Sequence, residues 1–403
     1  MLWSAVLCLI WAVLVFAGCA PEGAHSNDAT PDVVLDAELD SDGATSDGAV
    51  ADLGLGADAG LTSESCAYEA MPKGARLLGI DLLNTNEANT FDVNIEHAHT
   101  LGVEFIALHV PWDVLEATPG EIEDTWQALA PLAGVARAND WRFSITLRPI
   151  DLTGKTVPSD LQQTRFNDPE MIVRFNRIID HVVQVVGPQR LVSIQVGNEI
   201  DGYDTSNEHP DFWSDYGAFL FGVVTHTHAT HPGVRIGYTG TLAGLTEGPL
   251  HDQGVWAALA GVVDVLGVTW YPQHAAFQVD APASVAADLD RLVAAFPDTP
   301  ILLQEVGYQS AAACGSTDAL QAAFFCEAFA AWDAHRAQIE AINIVRLGDV
   351  SLDQAEEMAG PYGLSSAPFI EYLRTLGLRT WAGNGEAKPA FEMVRQEAAR
   401  RGW

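Results

Sequence analysis

Eight apolar, β-branched runs, separated by segments of helical period, predict an α/β protein whose parallel strands close into a (β/α)8 barrel of the TIM type. Three observations carry that expectation. The runs are apolar on consecutive positions, as strands buried on both faces must be. The segments between them repeat their apolar residues at the 3.6-residue period of a helix. From Arg76 onward no long gap or change of composition interrupts the alternation, so one domain is expected over 66–403. A doubly wound open sheet is the structural rival, and it would carry a glycine-rich phosphate-binding turn after an early strand; "GIDLLNTNEA" is not one.

The strands are expected, in order, at 76–81 (RLLGID), 103–110 (VEFIALHV), 142–149 (RFSITLRP) and 191–198 (LVSIQVGN). They continue at 234–240 (VRIGYTG), 263–271 (VDVLGVTWY), 301–307 (ILLQEVG) and 340–347 (EAINIVRL). Each is a short apolar run bounded by turn-forming or charged residues, the pattern of a buried strand. The clearest crossover helices fall at 168–187, 211–229, 283–296 and 317–335. Trp126, Trp256 and Trp332 lie within helical patterns, which suits packing between barrel and helices.

The first 18 residues are apolar, too short for a stable membrane span, and end in small residues before Cys19, as a secretory signal peptide does. "FAGC" resembles the lipobox of bacterial lipoproteins, which implies cleavage before Cys19 and a lipid on that residue, hence attachment to the cell envelope; a plain signal peptide and secretion are the alternative. Residues 20–65 hold eleven Asp and Glu but no Lys, Arg or aromatic residue, so 19–65 is expected to act as a solvated acidic tether. Three further cysteines remain: Cys66, Cys314 and Cys326. An exported chain can oxidise one pair. Cys314 and Cys326 flank the start of the seventh crossover helix and are the expected bridge, with a pairing of Cys66 to either of them as the competitor.

The formal charge of −34, from 20 Lys and Arg against 54 Asp and Glu, excludes the usual nucleic-acid binder, which needs basic residues to neutralise phosphates. It also disfavours a highly anionic glycan such as pectate. No Cys or His cluster has metal-ligand spacing, and neither metal nor cofactor is expected. A monomer is expected.

The chemistry is carried by two carboxylates. In "LVSIQVGNEIDGY" a buried run stops at Asn198 and Glu199, closing the fourth strand, and in "TPILLQEVGYQS" Glu305 closes the seventh. In a barrel both strand ends open on one mouth, so residues far apart in sequence can face one reacting bond. Two facing carboxyl groups suit glycoside hydrolysis: one protonates the leaving oxygen while the other attacks the anomeric carbon.

These motifs resemble the clan A glycoside hydrolases, in which an Asn-Glu pair ends strand four and a nucleophilic Glu ends strand seven; "VGNEI" and "QEVGY" match both. "DVLGVTWYPQ" is similar to the strand-six region of arabinogalactan endo-β-1,4-galactanases, and "QEVGYQS" to the strand-seven motif of some β-mannanases. The resemblance implies Glu199 as acid/base, Glu305 as nucleophile, Asn198 as partner of the sugar 2-hydroxyl and Tyr271 as a residue that orients Glu305 or hydrogen-bonds near it. A retaining endo-β-glycanase on β-galactan, β-mannan or β-glucan would follow. His109 and Arg148, at the ends of strands two and three, are candidates for a sugar subsite or for the barrel rim. Trp112 and Trp270 are candidates for stacking on pyranose rings. Strand eight departs from the clan pattern: "INIVRLGD" has Arg346 and Leu347 where an aromatic is common. A non-catalytic glycan-binding lipoprotein on the same barrel is the alternative reading, though it has no need of the paired glutamates.

Overall fold

The computed structural model describes residues 66–403 except 83–85, 87–89, 123–128, 153 and 384. Cys19, the signal-like segment, the acidic tether and Trp126 lie outside the described residues. Eight strands form the barrel: β1 (Leu77–Ile80), β2 (Phe105–Pro111), β3 (Arg142–Asp151), β4 (Leu191–Asn198), β5 (Ile236–Thr241), β6 (Val265–Trp270), β7 (Ile301–Val306) and β8 (Ile339–Ile344). Each pairs in parallel with its neighbours, β1 with β8 and β2 with β3 among them, so the sheet closes on itself.

The helices that cover it are α1 (Phe91–Leu101), α2 (Leu129–Ala138), α3 (Pro169–Val186), α4 (Phe212–Thr230), α5 (Val255–Ala260), α6 (Val285–Ala295) and α7 (Asp318–Ala334). After β8 come α8 (Leu352–Ala359), α9 (Ala367–Arg374) and α10 (Pro389–Arg401). Helix α3 shows why sequence and structure agree. Asp168 caps it by accepting from the Glu170 amide, Pro169 occupies its first turn, and Met171, Phe175, Ile178, Ile179, Val182 and Val183 line its buried side. Trp256 and Trp332 are buried between barrel and helices, as expected.

The strands prove less uniformly apolar than their sequences suggest, because their inward faces hold polar side chains. Ser144 Oγ donates to Gln304 Oε1 at 2.8 Å, and Gln304 Nε2 donates to Thr146 Oγ1 at 3.2 Å. β3 and β7 are not neighbours, so these bonds cross the barrel interior. The interior layer near the strand starts is apolar instead: Phe105, Val265, Leu302 and Ala341 cluster there. Gly79 is required beside Phe105, since a Cβ would sit 2.4 Å from its ring.

The disulfide expectation needs correction. Cys326 is bridged to Cys66, and Cys314 is a buried free thiol, its Sγ 3.3 Å from the Pro368 carbonyl. Cys314 ends a short turn before α7, whereas Cys326 lies within the helix, where the segment entering from Cys66 runs alongside. That segment is strapped down by Tyr68, whose hydroxyl donates to Glu327 at 2.7 Å, and by Arg400, which donates to the Cys66 carbonyl at 3.1 Å.

Candidate active site

The C-terminal ends of the strands bring Glu199 and Glu305 into one mouth, each at a break in regular backbone. Glu199 follows β4 with φ 44°, a left-handed conformation in which a side chain is strained. The turn behind it is pinned by Asp201, which accepts from the Thr241 amide at 2.7 Å and the Thr241 hydroxyl at 2.6 Å. Gly244 leaves room for that carboxylate; a Cβ there would lie 1.9 Å from Asp201 Oδ2. On β7, Gln304 faces the barrel interior, so strict alternation would turn Glu305 outward. A register shift against β6 between Leu303 and Glu305 re-aims the side chain into the mouth.

The two carboxyls meet different partners. Thr269 Oγ1 donates to Glu199 Oε1 at 2.7 Å. Burial, and then the charge of Glu305, push the Glu199 carboxyl up to about 8, against the pull of the Thr269 bond. Tyr271 donates its hydroxyl to Glu305 Oε2 at 2.5 Å. Its phenol is held well above its ordinary range, by burial first and by the Glu305 charge next, so it stays a donor. His109 Nδ1 lies 3.7 Å from Glu305 Oε1, and burial lowers its pKa despite that carboxylate, which leaves the ring neutral at pH 7. The arrangement is one carboxyl raised toward its protonated form and a second, in the same mouth, that accepts from a phenol.

Arg148 and Asn198 border the same mouth through Asp151. Arg148 Nη1 lies 2.5 Å from Asp151 Oδ2, and Asn198 Nδ2 donates to Asp151 Oδ1 at 3.1 Å. Asn198 Oδ1 is buried and has no hydrogen-bond partner among the described residues. It is an acceptor awaiting a donor.

Neither tryptophan candidate faces this mouth. Trp112 is 0% exposed: it starts a short helical turn, donates through Nε1 to Glu116 at 2.9 Å and packs edge-on against Phe175. Trp270, 2% exposed, donates to Asp288 on α6 and packs against Phe324 on α7. Its neighbour Thr269 reaches Glu199, and the alternation of a strand therefore turns Trp270 outward to the helices.

The aromatic surface comes from the connection after β8. Tyr372 of α9 packs edge-on against Tyr271, ring centroids 5.6 Å apart, and stacks on Phe277, which meets Phe369 at a tilt. Burial raises the phenols of Tyr372 and Tyr362, and the charges of both glutamates add to the shift, which puts these rings electrostatically within the site. Arg346, at φ 82°, anchors α9: its Nη1 donates to the Leu373 carbonyl at 2.5 Å. The residue at the end of β8 is thus a clamp for the helix that supplies the aromatics. Thr269, Asp151, Asp201, Tyr362 and Tyr372 were not singled out by sequence. Only Asp151 and Asp201 carried a signal, as carboxylates just past strand ends three and four.

Neither a family profile nor a curated protein sequence matches the chain. Solved structures do. A GH5_18 structure from Streptomyces cattleya in complex with Manβ1-4GlcNAc is similar at TM-score 0.57 and 19% identity, covering 81% of this chain and 80% of that one. An exo-β-1,4-mannosidase from Opitutaceae bacterium strain TAV5 is similar at TM-score 0.59 and 18% identity, covering 82% of this chain but 61% of the mannosidase. The GH53 catalytic domain of Ignisphaera aggregans gives TM-score 0.53 at 14% identity, over 79% of this chain and 91% of that domain. At these identities the common property is the barrel.

Proposed function

We propose that the chain is a retaining clan A glycoside hydrolase that cleaves a β-linked neutral hexose glycan by double displacement. The observation that carries this reading is the unequal pair at the ends of β4 and β7: Glu199, whose carboxyl is raised to about 8, and Glu305, which accepts from Tyr271. A general acid must be protonated at working pH, and a nucleophile must be ionised. Glu305 attacks the anomeric carbon while Glu199 protonates the leaving oxygen; Glu199, now a carboxylate, then takes a proton from water as that water displaces Glu305. Tyr271 holds Glu305 in attack geometry and follows its charge. Asn198 Oδ1 accepts from a sugar hydroxyl next to the scissile bond.

The glycan is neutral because Arg148 is already matched by Asp151 and Arg346 is buried against the Leu373 carbonyl, so neither offers a counter-charge to a uronate. Among neutral glycans, β-mannan, β-galactan and β-glucan remain, and the likeness to an exo-β-1,4-mannosidase supports the first. Tyr372 and Tyr362 provide apolar faces for the sugar rings. We further propose that Cys19 carries a lipid that holds the enzyme at the cell envelope; Cys19→Ser should leave the protein unprocessed or soluble, with no palmitate label. Purified full-length protein tested on a panel of neutral and acidic polysaccharides, with reducing-end detection, checks the activity. Cleavage of a neutral β-glycan supports it, and binding without cleavage favours the non-catalytic reading.

A further inference from the structure

The opposite end of the barrel, where the strands begin, opens on a cleft of about 580 Å³. Its walls carry Lys73, Arg76, Arg142, Arg235 and Arg336 against a single acidic residue, Glu340. That is a quarter of the 20 basic residues of a chain whose formal charge is −34. Three of the five are matched: Lys73 by Glu104, Arg76 by Asp333 at 2.8 Å and Arg235 by Glu340 at 2.6 Å. Arg336 donates to the backbone carbonyl of Asp333, and neither it nor Arg142 has a carboxylate within ion-pair distance among the described residues. A concentration of unmatched cations in an otherwise acidic protein is a field that attracts an anion.

We propose that this cleft is the docking site of the chain's own acidic segment, centred on residues 36–47. Charge complementarity is the first argument. Asp36, Glu38, Asp40, Asp42 and Asp47 fall within twelve residues that contain no Lys or Arg. Chain path is the second. Cys66 is fixed to α7 by its disulfide, and the backbone then runs past Met71, whose amide donates to Asp333 at 3.0 Å, to Lys73 and Arg76 in the cleft wall. Seven residues cover Cys66 to Lys73, whereas nineteen separate Asp47 from Cys66, so the acidic stretch has ample contour to return to the cleft at about 3.4 Å per residue. Tethering supplies it at high effective concentration, which a free anion lacks. Docking there leaves the catalytic mouth, at the other end of the strands, unobstructed.

Zero-length carbodiimide coupling of the full chain, read by peptide mass spectrometry, tests this. The sequence has only three lysines, Lys73, Lys155 and Lys388, and Lys73 alone lines the cleft. The expected product joins Lys73 to an acid of 36–47, and its yield falls at least fivefold from low to high salt because exposed charges are screened. Arg142→Glu with Arg336→Glu should abolish it. So should Asp36→Asn, Glu38→Gln, Asp40→Asn, Asp42→Asn and Asp47→Asn together, changes that lie outside the barrel. The Lys73–Glu104 link, made by an ion pair of the folded protein, should persist in every sample and reports folding. Segment links spread equally to Lys155, or a yield indifferent to salt, would overturn the proposal. Inorganic phosphate or anionic lipid vesicles binding through Arg142 and Arg336, with no link between Lys73 and the segment, would overturn it in favour of a different anion.

Discussion

The upper mouth of the barrel gathers Glu199, Glu305, Asp151 and Asp201 beside Arg148, which Asp151 matches; the lower mouth gathers Lys73, Arg76, Arg142, Arg235 and Arg336 beside Glu340. The same eight strands build both. In the upper mouth the decisive groups are removed from water, so burial and neighbouring charge set their protonation: the Glu199 carboxyl rises to about 8. In the lower mouth the basic groups line a cleft, and their effect is a field rather than a proton. The count of charges is similar at the two ends, and desolvation decides which end can do acid–base chemistry.

Breaking the upper mouth gives the largest effect. Glu305→Ala should reduce turnover of every substrate by roughly four orders of magnitude or more, because no other group forms the glycosyl-enzyme bond; kcat on a cleaved glycan is the readout. On the side of the lower mouth, Cys326→Ser opens the bridge that fixes the entering segment and should cost about 2–4 kcal/mol of stability in denaturant titration. Cys314→Ser should cost less than about 1.5 kcal/mol, since the serine hydroxyl can keep the bond to Pro368.

Tyr271→Phe removes one hydrogen bond to a charged acceptor, worth about 1.5–3 kcal/mol, and should lower kcat/KM by roughly 10- to 100-fold. The smallest effect is one of pH. A carboxyl whose folded pKa exceeds its unfolded value binds more protons when folded, so stability falls as pH rises from about 4.5 through about 8. Glu199→Gln should abolish this loss and melt at a higher temperature than wild type at pH 9. Equal melting of the two proteins at pH 9 would separate Glu199 from the buried, proton-retaining role assigned to it.

Much of this was legible in sequence, for physical reasons. The fourth strand was expected at 191–198 and is found at Leu191–Asn198, because β-branched residues on consecutive positions have few other places to go. Glu199 and Glu305 stood out because a carboxylate at the end of such a run is costly without a task. The tryptophans misled because an indole has no intrinsic direction. Trp112 turns inward on a helical turn after Pro111, and Trp270 is on the face opposite Thr269. Tyr372 was invisible because its place depends on Arg346 gripping a helix through Leu373, 27 residues later, a contact that no local pattern encodes. The Cys66–Cys326 bridge spans 260 residues and was hidden for the same reason.

Azide rescue distinguishes Glu199 as acid/base from Glu305 as nucleophile. With a β-configured aryl glycoside bearing a good leaving group, Glu199→Ala should still form the covalent intermediate, since departure needs little protonation. Added azide should then raise turnover and release a β-glycosyl azide of retained configuration. In Glu305→Ala the anion enters from the vacated nucleophile side and should release the inverted azide. Rescue of the two variants with the opposite stereochemistry would exchange the roles of the glutamates, and active wild type with no rescue of either variant would contradict the double-displacement account.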